Sequence, residues 1–191
     1  YDQDQRYNEC GPTSVANSFR WLAERHNLGD RIPRDPTDLV DELKGDLNWS
    51  PNGVSHRNMI SGKSAFIDRH HLPFEAHQIG TDRDPELIKK IRDEIARGQA
   101  VEAWLTFRNA SGTSMGAHLV TVVGAGFSNG RNVISITDPD SASGGNGGTR
   151  DVYNVNPTNY LPAYAPDGID TFITYAYAQS PTQELTDGTG T

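Results

Sequence analysis

Hydrophobic positions along the 191-residue chain change their spacing near Gln99. Upstream of it they recur with helical periodicity. Val15, Phe19, Leu22 and Ala23 predict a helix over Ser14 to Leu28, with Pro12 suited to a first turn and Gly29 to the end. Cys10 then falls at a helix N-terminus. Leu39, Val40, Leu43 and Leu47 predict a second helix over Pro36 to Leu47, capped by Asp35. A third is predicted from about Ser55 to His71, weakened in its middle by Gly62. The fourth, Asp84 to Arg97, has the clearest pattern: Asp84 as cap, Pro85 at the start, and a stripe of Leu87, Ile88, Ile91 and Ile95. Between the last two helices, Leu72 to Ile79 reads as a strand.

From Gln99 onward β-branched and aromatic residues gather into runs bounded by turn formers. The runs are Ala100 to Phe107, Ala117 to Gly126, Asn132 to Thr137, Arg150 to Val155 and Asp170 to Tyr177. Helices first and strands afterwards predict an α+β fold, its helical N-terminal half packed on a mostly antiparallel C-terminal sheet. The length suits one domain over 1–179, with a helical lobe at about 10–98 and a β lobe at about 99–179. The glycine-rich stretch 141–148 reads as a loop and 180–191 as a disordered tail.

Charge and composition narrow the function. Hydrophobic residues form 35% of the chain, enough to build a core. The net charge is -8, and no run of Lys or Arg forms a basic face, which argues against nucleic acid and anionic membrane surfaces as partners. The longest apolar stretches, such as Ala117 to Ala125, are too short to cross a bilayer, so no membrane insertion is expected. A chain beginning at Tyr1 with no signal-peptide pattern reads as a processed or excised domain; localisation stays open at this point, with a secreted or periplasmic protein, or part of a larger exported or phage protein, favoured over a cytoplasmic one.

One cysteine excludes an internal disulfide and leaves Cys10 as either an inward-packed helix-start residue or a working thiol. Its surroundings favour the second. A sulfur at a helix start feels the positive end of the macrodipole and unpaired backbone N–H groups, which stabilise thiolate. Gly11 leaves room for an extended backbone, the Cys10 N–H can face an oxyanion, and the Gln5 amide can supply a second donor.

Of the six histidines, only His118 precedes a strongly apolar strand, Leu119 to Val123, a rigid seat for a base. Val133 to Thr137 alternates and ends at Asp138-Pro139, so a hairpin with the preceding strand brings the Asp138 carboxylate beside His118. Asp140 is the alternative orienter. His70, His71 and His77 lack the companions of a metal site, and Asp138 with Asp140 fails the pattern of a calcium loop.

Gln5, Cys10-Gly11-Pro12-Thr13-Ser14, Gly116-Ala117-His118-Leu119-Val120 and Asp138-Pro139 together resemble the bacteriocin-leader-processing, double-glycine peptidases and their papain-like relatives. The resemblance covers about Gln5 to Pro139. It implies a papain-like fold, a triad of Cys10, His118 and Asp138, a glutamine oxyanion donor, a peptide or protein substrate with small residues before the cleaved bond, and no cofactor or metal. In that family the glutamine lies one residue farther from the cysteine than Gln5 does, so Gln3 stays open as the donor. The same triad also serves transglutaminases, deamidases and cell-wall peptide hydrolases, and an inactive relative can keep the cleft for peptide binding.

Overall fold

The computed structural model describes residues 8–139, 150–165 and 167–182. Its elements run α1 (Cys10–Arg25), α2 (Pro36–Asp46), α3 (Asn58–Arg69), β1 (Phe74–Thr81), α4 (Leu87–Ala96), β2 (Ala100–Asn109), β3 (Ser114–Ser128), β4 (Arg131–Thr137), β5 (Arg150–Val155) and β6 (Ile169–Pro181). The strands form one six-stranded antiparallel sheet in the order β1-β6-β2-β3-β4-β5. The fold is α+β and papain-like, with the helices mostly N-terminal.

Period-two alternation divides the sheet between two cores. On β2, Val101, Ala103 and Leu105 pack with Leu87, Ile88 and Ile91 of α4. Ala100 and the partly buried Trp104 instead join α1, α2 and α3 through Val15, Phe19, Leu22, Leu43 and Phe66. The middle strands are thus covered on both faces, which explains why they read as near-continuous apolar runs. Glu102 points to the α1–α3 side, where its carboxylate meets Lys63 Nζ at 2.6 Å, both side chains fully buried. Gln179 Nε2 donates to the other carboxylate oxygen at 2.8 Å. Helix α3 is therefore tied to β2 by a fully buried ion pair, and the Gln179 amide extends the link to β6.

Several boundaries differ from expectation for local reasons. Helix α1 begins at Cys10 itself and stops at Arg25, because Asn27 takes a left-handed conformation (φ 56°) and the Leu28 N–H returns to the Ala23 carbonyl; Gly29 lies in the following 3-10 turn. Asp35 does cap α2, accepting from the N–H groups of Thr37 and Asp38. Asp84 does not cap α4. Its carboxylate accepts the Glu86 N–H at 2.9 Å in a turn, and the helix starts only at Leu87.

Gly62 does not interrupt α3. A Cβ there would lie 2.7 Å from the Asp46 carbonyl oxygen and 2.8 Å from Leu47 Cα, so glycine is what lets α3 approach the end of α2. The tail expected from residue 180 is also corrected. Ser180 pairs with Glu75, is buried, and donates to Gln99 Oε1 at 2.7 Å, and β6 continues to Pro181. The stretch 141–148 and residues 183–191 lie outside the described residues.

Candidate active site

Strand β3 pairs with β2 from Ser114 onward, but β4 joins it only at Thr121. That leaves one edge of Ser114 to Val120 without a strand partner, and the start of α1 occupies part of it. Ser14 Oγ donates to the Leu119 carbonyl at 2.8 Å, and Thr121 Oγ1 donates to the Ser14 carbonyl at 3.1 Å. The Leu119 N–H points to the Cys10 sulfur. Both backbone groups of Leu119 are thus satisfied by α1, and this fixes the helix that carries the thiol against the strand that carries the imidazole.

His118 follows on β3. Thr121 pairs with Thr137, so continuing the β3–β4 register sets Asp138 opposite Val120, one diagonal step from His118. His118 Nε2 lies 2.6 Å from Asp138 Oδ1, the two side chains 11% and 20% exposed. With Nε2 so engaged, Nδ1 is left to serve Cys10, whose sulfur is hydrogen-bonded to His118. The structure therefore brings Cys10, His118 and Asp138 into one hydrogen-bonded chain. Gln5, Gln3 and Asp140 lie outside the described residues.

Electrostatics follow from this contact. Burial raises the Cys10 thiol, but the hydrogen bond and charge of His118, together with the N–H groups of Leu119 and Gly11, outweigh it and hold the thiol below its ordinary 9.0. Burial lowers His118, yet its bonds to Asp138 and to the sulfur win and push it up to about 10. Opposite displacements of a thiol and an imidazole in contact favour transfer of the proton from sulfur to ring.

The surrounding cleft measures about 340 Å³. One wall is the turn Asn52–Val54, the other Trp104 and residues 115–119 of β3. Asn8 pins the approach to α1 onto the first wall, its Nδ2 donating to the Pro51 carbonyl while its own carbonyl accepts from Trp49 Nε1. Gly11 serves this wall as well. A Cβ there would sit 3.0 Å from Val54 Cγ2, so the space expected to admit substrate is taken up by Val54 closing on the helix.

The model of the Peptidase_C39 like family matches residues 1–165. The chain belongs to that family. No curated protein matches it. Membership in the Peptidase_C39 like family gives the chain a cysteine-peptidase kinship and agrees with its fold.

Two features of this Peptidase_C39 like protein escaped sequence reasoning. The Ser14–Leu119 bond left a weak signal, since Ser14 lies one helical turn after Cys10. Tyr164 left none. Its hydroxyl donates to Asp138 Oδ2, and its ring lies 6.1 Å from that of Phe107 and 5.1 Å from that of Tyr153. Two of the other histidines are engaged elsewhere: His70 faces the Arg31 carbonyl and Glu42, and His56 stacks on Tyr175 at 4.6 Å. Among the described residues no group of three or more His, Cys, Asp or Glu is disposed to hold a metal, and no helix is long and apolar enough to cross a membrane.

Proposed function

We propose that the protein is a cysteine peptidase whose nucleophile is Cys10, base His118 and orienter Asp138. The observation that carries this reading is the continuous hydrogen-bonded chain from the Cys10 sulfur through His118 to Asp138. The thiolate attacks a peptide carbonyl carbon, forming a carbon–sulfur bond and placing negative charge on the carbonyl oxygen. The Cys10 backbone N–H, at a helix start where intrahelical acceptors are lacking, is one donor to that charge, and the sequence offers the amide of Gln5 or Gln3 as the second. The His118 imidazolium gives its proton to the leaving amine as the C–N bond breaks. Water then attacks the thioester, its proton passing to His118, and the acid leaves with the thiolate regenerated. Asp138 holds the ring throughout and stabilises its cation.

Family membership supports peptide as the substrate class. Gly53, Gly116 and Ala117 in the cleft walls fit an extended chain with small side chains beside the cleaved bond. The test is incubation of the wild-type chain and its Cys10→Ala variant with a peptide library, small residues included, followed by mass spectrometry. Cleavage products that need Cys10 are expected. Amine incorporation or ammonia release without chain scission would replace peptidase by acyl transferase or amidase, and products unchanged in Cys10→Ala would remove the thiol from the mechanism.

A further inference from the structure

Asp138 is held from two sides. Its Oδ1 meets His118 Nε2 at 2.6 Å, and its Oδ2 accepts the Tyr164 hydroxyl. Asp138 immediately follows the last residue of β4, so its main chain is no longer carried by the β4–β5 ladder, which ends at Thr137 paired with Arg150. A carboxylate at a strand end has freedom about both side-chain torsions, and one hydrogen bond to an imidazole does not fix the plane of the group. The Tyr164 hydroxyl supplies the second fixed point.

Tyr164 is itself well anchored. Its ring is stacked with Phe107 of β2 at an interplanar angle of 21° and lies against Tyr153 of β5 at 55°. Its N–H returns to the carbonyl of Leu161, a fully packed residue of the core beneath α4. The phenol thus joins β2, β5 and the 156–165 segment to one oxygen of Asp138, and a hydrogen bond to a charged acceptor is stronger than one between neutral groups.

We propose that Tyr164 is a positioning residue: by donating to Asp138 Oδ2 it holds the carboxylate on His118 Nε2 and thereby maintains the thiolate–imidazolium pair. This rests on the peptidase reading only for its consequence, since the pair itself is observable without any substrate. Removing the hydroxyl lets Asp138 turn away, the imidazolium loses its partner, and the proton returns to sulfur.

The pH dependence of Cys10 alkylation by iodoacetamide is the test, in wild type, Tyr164→Phe and Phe107→Leu. Tyr164→Phe keeps the ring, and the acid midpoint is expected to move upward, with alkylation about tenfold slower below it. Phe107→Leu, which keeps the hydroxyl and loosens the ring, should move it in the same direction by less. In proton NMR the strongly deshielded Nε2–H signal of His118 should broaden or vanish in Tyr164→Phe. A Tyr164→Phe midpoint and imidazole signal identical to wild type would overturn the proposal while leaving the peptidase reading intact. A wild-type midpoint in the ordinary thiol range would overturn both. Should Tyr164→Phe fail to fold, an unmoved midpoint in Phe107→Leu overturns the proposal.

Discussion

Replacing Ser14 by alanine removes the hydroxyl that clips α1 to the open edge of β3. Ser14 is fully buried and its bond to the Leu119 carbonyl is 2.8 Å long, inside a core formed by Val15, Phe19 and Leu119. Alanine fits the space but leaves that carbonyl without this donor, a cost of about 1–3 kcal/mol. For a chain of this size each kcal/mol lowers the thermal midpoint by about 2–4 °C, so the Tm should fall by about 2–12 °C. The functional consequence is separate. Cys10 lies one turn before Ser14 on the same helix, so a loosened clip lets the sulfur drift from His118, and alkylation of Cys10 at mildly acidic pH should slow about tenfold. Thr121→Val removes the reciprocal bond to the Ser14 carbonyl, and the two changes should couple by at least about 0.5 kcal/mol in a double-mutant cycle. Thermal unfolding and timed alkylation read both effects. An unchanged Tm and rate in Ser14→Ala would refute the clip, and a lowered Tm with an unchanged rate would confine it to stability.

Lys63→Met leaves Glu102 buried without its cation and should cost about 3–5 kcal/mol in denaturant unfolding, whereas Lys63→Met with Glu102→Leu should recover most of that loss. Asp138→Asn should lower the turnover number less than Cys10→Ala does, because the substitution spares the nucleophile; Asp140→Asn, compared side by side, should leave turnover close to wild type, and the reverse ranking would move the orienting role to Asp140. The pH profile of kcat/KM should be a bell. Its acid limb belongs to Cys10, and because the thiol is held below 9.0 the rate falls only as pH drops beneath that ordinary range and thiolate is lost. Its alkaline limb belongs to His118, raised to about 10, and the rate falls as pH rises through that value and the imidazolium is lost.

Sequence pattern carried the fold as far as periodicity reaches. The stripe Val15, Phe19, Leu22 located α1, and the alternation Val133 to Thr137 located β4, whose register with β3 sets Asp138 beside His118. Failures came where a single backbone conformation or tertiary approach decided the outcome. Asn27 ended α1 by turning left-handed, and Gly62 served a close helix crossing that a one-dimensional reading scores as a weak helix. The end of β6 was missed because its small and polar residues, Ala178, Gln179 and Ser180, are buried by their neighbours and carry no strand signal of their own. Tyr164 sits in irregular chain and meets Asp138 only through the folded sheet, so no local spacing announces it.

The proposed chemistry requires Cys10 to be ionised by its contact with His118. The most direct measurement is the ultraviolet titration of the Cys10 thiolate in wild type and His118→Ala. In wild type the thiolate should form below 9.0, and in His118→Ala, with burial no longer countered by the imidazolium, the midpoint should move upward. Superimposable titrations of the two proteins would contradict the claim.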